Sequence, residues 1–480
     1  LFTGLALKIY LNERPFEPRE RDYALVGSFY VFAIWIGMGV FALAHKIKLI
    51  IKSNVAPLTT VILCLFVPLL MAYQNWDDHD RSGRYTAQSM AKSYLESIQK
   101  DAGAMIFTIG DNDTFALWYA QEIEGYRTDV RTINTSLLAT DWYIDQMKRD
   151  AYDGAAVPFS LEREKYKQGT RDVAIFIDKG ASNTRLQLQD FNKWIKSDRP
   201  ETKINIGKDY DFFYTKKIRI PVNKNNIQLT NKDVLLDYID IDLNTSQLEK
   251  KDLMILDLIE TNDWKRPIYF AITIGSSARS FLYLDKYFQL DGMVYKLMPI
   301  EHGNNNNGEI GSINTDVLYP MLMEDYKWGN LNGNIYLDET NLRMTMNFRN
   351  NFSRLAQELI LENKHDSAKK VLDYAMTLMP GEKVPLNYFI HPMIESYYQL
   401  NDAGKEKAEK LINNLYNIYG TELEYYFSFP TEKIEGVSME ILKNLQFYNQ
   451  LVEIATKNNH PNINTIQQDF QEYYREFLTL

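Results

Sequence analysis

Apolar and polar residues alternate with different periods along this chain, and each change of period marks a new kind of element. Residues 23–44 carry no charge and include Phe29, Phe32, Trp35, Ile36 and Phe41, and residues 55–73 form a second uncharged run. As helices, both are long enough to cross about 30 Å of hydrocarbon, so two membrane spans are expected at about 23–44 and 55–73. Pro57 and Pro68 are read as lying near the ends of the second helix, where a kink would be mild. Residues 89–99 read as an amphipathic helix that leads into a strand beginning at Met105.

The pattern becomes denser over residues 104–149. An apolar run at 105–109 meets Gly110-Asp111-Asn112-Asp113-Thr114, then a helix-period segment at 115–124 closed by Gly125. A second apolar run at 130–134 leads into another helical segment, which gives a β-loop-α-β-α order. In open α/β sheets ligands lie beyond the carboxyl ends of the strands, where Asp111, Asn112 and Asp113 would fall. Capping by Asp113 or Thr114 and turn formation by Asp111 weigh more than ligand contact for these residue types.

From residue 151 to about 320 the chain is strand-rich, with expected strands at 173–177, 217–222, 234–241, 253–259 and 267–274 continuing one α/β domain. Residues 301–308, rich in Asn and Gly, read as a surface loop in which His302 carries no chemistry. Beyond about residue 338 the texture turns helical. Leu355, Ala356, Ala368, Leu372 and Ala375 have the spacing of a tetratricopeptide-type helix pair, loosely repeated through Ala408, Leu411 and Leu415. The expected organisation is therefore membrane α-helices (two spans) over residues 1–75, an α/β domain over 76–337, and an all-α, tetratricopeptide-like tail over 338–480.

Composition adds limits to this picture. A chain of 480 residues with 45% hydrophobic residues has ample core material for two or three domains. The net charge of −10 and the absence of a long basic run argue against nucleic acid as a partner. Cys64 is the only cysteine, so no intrachain disulfide and no C-x-x-C metal or redox motif can form. The chain opens on Leu1, without methionine or a signal-peptide pattern, and is expected to be the carboxyl-terminal part of something longer. Lys46, Lys48 and Lys52 lie between the two spans without acids, which marks that segment as cytoplasmic and both outer ends as facing away from the cytoplasm.

Two polar segments then share the outer membrane face. One holds Arg19 and Arg21; the other holds Asp77-Asp78-His79-Asp80-Arg81 and Arg84. The three carboxylates and imidazole are candidates for a divalent cation, itself able to bridge to a lipid phosphate, although headgroup-facing polarity is the weightier reading. Arg81 and Arg84, three apart, would hold a phosphate bidentately if their segment is helical. Asp111-Asn112-Asp113 matches the short D-x-D pattern of metal-holding sugar transferases, but not an EF-hand, because Phe115 stands where an oxygen ligand would be required. No G-x-S-x-G, H-E-x-x-H or G-x-x-x-x-G-K-[ST] occurs.

Four motifs together carry a resemblance: residues 17–23 (EPRERDY), 75–82 (NWDDHDRS), 110–115 (GDNDTF) and 140–147 (TDWYIDQM), with further likeness at 265–271, 283–290 and 347–355. Through them the chain resembles a bacterial multi-spanning membrane family of formerly unknown function, related to protein O-mannosyltransferases that include an animal transmembrane enzyme. The resemblance implies a bacterial inner-membrane glycosyltransferase that moves a sugar from a lipid-phosphate-linked donor to the hydroxyl of an acceptor protein, with periplasmic carboxyl-terminal domains. It implies a general base in an acidic first outer loop, upstream of this chain, so no catalytic residue is carried over. Two other readings stand beside it: a non-catalytic, membrane-anchored periplasmic scaffold with a protein-binding tail, and a D-x-D sugar-nucleotide enzyme, which ranks lowest because bacterial sugar nucleotides are cytoplasmic.

Overall fold

The computed structural model describes residues 2–12, 21–51, 55–227, 234–273, 283–300, 310–333 and 335–479. They form two compact units. One comprises Leu1–Arg84, Gly333–Arg343 and Glu409–Leu480; the other comprises Tyr85–Asn332 and Met344–Ala408.

The first unit begins with a short helix, α1 (Leu5–Leu11), followed by α2 (Val26–Ile51) and α3 (Ala56–His79), which run against each other. Residues 23–50, which run from the turn before α2 through that helix, and 57–76 of α3 are long and apolar enough to cross a membrane, and almost none of their side chains is buried. An apolar helix that buries almost none of its surface within its own protein is matched to a lipid solvent. Helix α3 runs further than the expected span. The polar residues after Tyr73 continue it, with Asp80 N donating to Trp76 O at 2.8 Å and Asn75 Nδ2 to Met71 O at 2.8 Å. Pro68 consequently lies inside the helix rather than near its end.

The second unit opens with α4 (Thr86–Glu96), slightly earlier than expected, burying Met90, Ala91, Tyr94 and Leu95 on one face. Then come β1 (Met105–Thr108), α5 (Thr114–Trp118), β2 (Arg131–Asn134), α6 (Asp141–Met147) and α7 (Arg163–Tyr166). The segment expected as one helix at 115–124 is split, because a π-helical turn at Tyr119–Ile123 follows α5. Gln121 accounts for the distortion: its buried amide donates to Arg127 O and Val130 O and accepts from Thr132, which draws the helix end toward β2.

The strand-rich middle contains β3 (Val173–Phe176), β4 (Arg185–Gln187), α8 (Leu188–Ile195), β5 (Lys203–Asn205), β6 (Asp209–Phe213), β7 (Lys217–Pro221), β8 (Tyr238–Asp242), β9 (Gln247–Glu249), α9 (Lys250–Asn262), β10 (Ile268–Ala271), β11 (Phe288–Asp291), β12 (Val294–Leu297), β13 (Ser312–Ile313) and α10 (Thr315–Pro320). The sequence reading of 253–259 as a strand is wrong: these residues form most of α9. Leu253, Met254, Ile255, Leu256, Leu258 and Ile259 are all buried, and so is Asp257 between them, so the run is buried on every face and its period distinguishes nothing. Its ends decide the matter instead, with a capping box between Glu249 and Asp252 and a left-handed stop at Asp263. The strand expected at 234–241 is shorter and later, since Val234 is exposed and the ladder with β7 begins at Tyr238.

The principal sheet has six strands in the order β13-β11-β12-β10-β1-β2. β10, β1 and β2 are mutually parallel, and β12 joins β10 antiparallel. Phe107, Phe270, Phe288 and Tyr295 form a ladder of rings across it, with centroids 5.1, 4.8 and 5.7 Å apart. Separate sheets of four (β5-β6-β3-β9) and three strands (β4-β7-β8) complete an α/β domain of mixed sheets.

Helices α11 (Glu339–Leu361), α12 (His365–Leu378), α13 (His391–Tyr398), α14 (Asp402–Phe427), α15 (Thr431–Ile434), α16 (Ser438–Lys457) and α17 (Ile463–Thr479) make the carboxyl-terminal region, which is helical as the sequence indicates. Leu355, Ala356, Ala368, Leu372 and Ala375 are buried, as any packed helical layer requires. Arg349 is buried among them, donating to Pro385 O at 2.6 Å, Met379 O at 2.8 Å and Val384 O, and burial presses its pKa down to about 10.

Candidate functional site

β1 leaves the sheet between two parallel neighbours reached by opposite routes, β2 through α5 and β10 much later in the chain. Such a switch in strand order opens a crevice at the carboxyl ends. Thr108 ends β1 and Gly110 turns the chain with φ +71°, a conformation that favours glycine. Phe115 N then donates to Asp111 O at 2.9 Å and Leu117 N to Asp113 O at 3.0 Å, which starts α5.

The three polar residues of this loop have separate fates. Asp113 is 1% exposed, accepting from the Thr114 amide at 3.0 Å and from Thr273 Oγ1, just beyond β10, at 2.7 Å. It therefore caps α5 and also bridges the crevice between β1 and β10. Burial raises its pKa, while the hydrogen bonds from Thr273 and Thr114 act in the opposite direction. Tyr94 lies fully buried nearby; burial and then the Asp113 charge push its hydroxyl well above the usual range. Asp111 and Asn112 are exposed.

A buried polar network supports the loop. Thr114 Oγ1 donates to Gly110 O at 2.7 Å and lies 2.7 Å from Thr108 Oγ1; Asn134 Nδ2 donates to Gly110 O at 2.9 Å and to Thr114 Oγ1 at 3.0 Å. Asn134 Oδ1 accepts from the amides of Ser136 and Leu137, so the loops after β1 and β2 are held by one side chain. The second loop leads to α6. There Asp141 accepts from Trp142 N at 2.8 Å, Asp145 accepts from Tyr166 Oη at 2.7 Å and pairs with Arg163, and Tyr143 Oη accepts from Asn134 N at 2.9 Å. On the same elements three aromatic side chains are exposed: Phe115 and Trp142 at 54% each, and Tyr119.

The membrane-proximal candidates are not gathered into a comparable site. Arg19 lies outside the described residues, as do His302 and the side chains of Asp77 and Asp78. Arg21 is exposed at the 3₁₀ turn preceding α2, its carbonyl accepting from Ala24 N at 2.9 Å. The His79 ring lies 3.0 Å from Asn75 O, and Asp80 accepts from Ser82 N at 2.9 Å and Ser82 Oγ at 2.6 Å, bonds that lower its pKa. Residues 81–84 are a turn closed by Arg84 N to Arg81 O at 3.1 Å, so the helical spacing needed for a two-arginine phosphate clamp is absent. Arg81 instead meets Asp338 at 3.5 Å, and the Arg84 guanidinium lies 4.8 Å from the Tyr336 ring centroid. Among the described residues no three His, Cys, Asp or Glu side chains are placed to hold a metal ion.

Sequence reasoning missed Tyr94, Thr273, Asn134 and the exposed rings of Phe115 and Trp142. The last two stand inside the GDNDTF and TDWYIDQM motifs, and the signal available was an aromatic residue in each, beside polar loop residues.

Comparison with known proteins bears on this same region. Residues 87–317 match the model of a family described as TMEM260-associated domain 2. The chain is related to the TMEM260 family. Protein O-mannosyl-transferase TMEM260 of Mus musculus is 27% identical over 120 residues, which is 25% of this chain and 17% of the mouse protein. No solved structure matches the chain. The match to TMEM260-associated domain 2 thus spans the six-stranded sheet, the loop at Asp111 and the helix bearing Trp142.

Proposed function

We propose that this chain is the carboxyl-terminal part of a membrane glycosyltransferase of the protein O-mannosyltransferase kind, in which the soluble domains bind the acceptor protein. The sugar donor in this reading is lipid-phosphate-linked, and the soluble domains lie on the periplasmic side of a bacterial inner membrane. The observation that carries it is the switch-point edge within the TMEM260-associated domain, where exposed Asp111 and Asn112 stand on a network-braced loop beside exposed aromatic rings. A braced polar edge with flat apolar rings suits an extended peptide that carries a hydroxyl acceptor: carboxylate and amide bond its backbone, and the rings cover its side chains. The carboxyl-terminal helices would extend that surface, whether or not their spacing amounts to a tetratricopeptide repeat.

The test is sugar transfer by the full-length protein in proteoliposomes, with polyprenyl-phosphate mannose and an acceptor protein. Asp111→Ala and Trp142→Ala are expected to raise the KM for acceptor by about tenfold each, roughly 1.4 kcal/mol of lost binding, with little change in melting temperature because both side chains are exposed. Wild-type KM and kcat in both variants would remove the edge from the acceptor site.

A further inference from the structure

A cavity of about 400 Å³ opens at the opposite edge of the same sheet, where β1 and β10 begin. Residues 99–102 ahead of β1, 264–268 leading into β10 and 296–299 at the end of β12 line it, together with Asn226, Ile227, Ile259 and Asn262. It lies wholly within the TMEM260-associated domain and shares no residue with the edge at Asp111.

The charges of this cavity are lopsided. Lys100, Lys265, Arg266 and Lys296 line it against one carboxylate, Asp101. Lys100 pairs with Glu96 at 3.1 Å; among the described residues Lys265 and Lys296 have no carboxylate within 4 Å, and the Lys296 ammonium lies 5.9 Å from the Tyr269 ring centroid, its charge also acting on the buried Asp291. Arg266 donates to the backbone carbonyls of Gly103, Ala156 and Ala155, groups that satisfy its N–H bonds without cancelling its charge. Burial, and then the like charge of Arg131, lower its pKa, while the Asp150 carboxylate acts in the opposite direction. A concave, partly apolar wall strengthens that field toward an incoming anion.

The rest of the lining restricts the anion's body. Trp264 stands in a left-handed turn with Asp263, at φ +59° and +46°, and Asn226 Nδ2 holds this turn through Asp263 O at 2.7 Å. Its indole N–H donates to Pro221 O at 2.8 Å, and Pro221 is not part of the cavity wall, so the ring offers the cavity carbon surface. Ile259, Ile268, Leu297 and Met298 are buried beneath. The volume is near the lower end for small-molecule sites, about 300–1,000 Å³. That suits one sugar ring with a phosphate better than a nucleotide.

We propose that this cavity binds a phosphorylated monosaccharide, its phosphate held by Lys265 and Lys296 and one C–H face of its ring lying on Trp264. The shared chemistry is a glycosyl phosphate, which could arrive as a free sugar phosphate or as the headgroup of a lipid-linked sugar.

Calorimetric titration of the full chain in nanodiscs tests this with glucose 1-phosphate, inorganic phosphate, glucose, adenosine monophosphate and, incorporated in the bilayer, polyprenyl-phosphate glucose. Glucose 1-phosphate should saturate one site, with the other three soluble probes at least about tenfold weaker and affinity falling as salt rises. The double variant Lys265→Gln/Lys296→Gln should weaken it by about tenfold or more, and Lys265→Arg/Lys296→Arg should largely restore it, which separates charge from misfolding. Tighter binding of the lipid-linked sugar that is lost in the same Gln variant would assign the lipid as the source; tighter binding of the free phosphate ester would assign the soluble one. Unchanged binding in the Gln variant, equal binding of adenosine monophosphate or inorganic phosphate, or no saturable heat at millimolar concentration would overturn the site. Asp111→Ala should leave this binding intact, so failure of the acceptor reading and failure of this one are distinguishable.

Discussion

Asp113 combines two demands that are usually met by different residues. Its oxygens accept from the Thr114 amide and the Thr273 hydroxyl, while its burial raises its pKa. A raised folded-state pKa means that the folded protein binds the proton more readily than the unfolded chain. The associated stability is fully present below the usual carboxylate range and is lost as pH rises through the raised value. Asp113→Asn keeps an acceptor for one of the two bonds and removes the buried charge, so its stability relative to wild type should increase from about pH 3 to neutral pH. Asp113→Ala loses both bonds and should be less stable by roughly 1–2 kcal/mol. Thermal melts at both pH values check this; an Asn variant whose deficit is the same at each pH would show that the carboxylate charge is not strained by burial.

At the level of elements, α9 carries the same physics in its capping box. Glu249 N donates to Asp252 Oδ2 at 2.8 Å, and burial pushes the Asp252 pKa up to about 6. Because the shift is upward, the stability linked to it is present at acid pH and is lost as pH rises through about 6. At 1.4 kcal/mol per unit the wild-type protein should lose up to about 3 kcal/mol between pH 4 and 7 through this group, and Asp252→Asn should abolish that slope. Denaturant melts of the two proteins across this window measure it, and parallel pH profiles would exclude Asp252 as the titrating group. The same helix explains why the apolar run at 253–259 reads as a strand: an element buried on all sides shows no period, and only its caps identify it.

For the whole molecule, the two apolar helices and the relation to protein O-mannosyl-transferase TMEM260 associate the chain with a membrane, and charge gives an expected orientation. Lys46 and Lys48 lie in the last turns of α2 with Lys52 just beyond, and no acid lies among them. We expect that segment to be cytoplasmic and everything from Asn75 onward to be outside. An alkaline phosphatase fused after Leu480 in the full-length protein should be active and a cytoplasmic fluorescent reporter silent; the reverse pattern would put the soluble domains on the wrong side for a periplasmic acceptor.

Much of this architecture was legible because it is local. Two apolar runs of span length, a glycine-centred loop after a buried strand and a helical texture beyond residue 338 depend on neighbours within a few turns of chain, and the sequence alone determined them. It also placed Asp111 at a strand's carboxyl end, since a strand followed by a helix leaves its loop nowhere else. What only the tertiary structure decided are contacts between residues far apart in sequence. Asp113 and Thr273 are separated by 160 positions, and their bond converts a surface cap into a buried bridge. Arg81 reads as a free phosphate ligand until folding brings it to Asp338, and Lys265, Lys296 and Trp264 look like scattered surface residues until β10 and β12 pair and enclose a cavity. Local pattern specifies which face of an element is apolar, whereas the partner a polar group meets depends on which distant strand pairs beside it, and no periodicity in the chain encodes that choice.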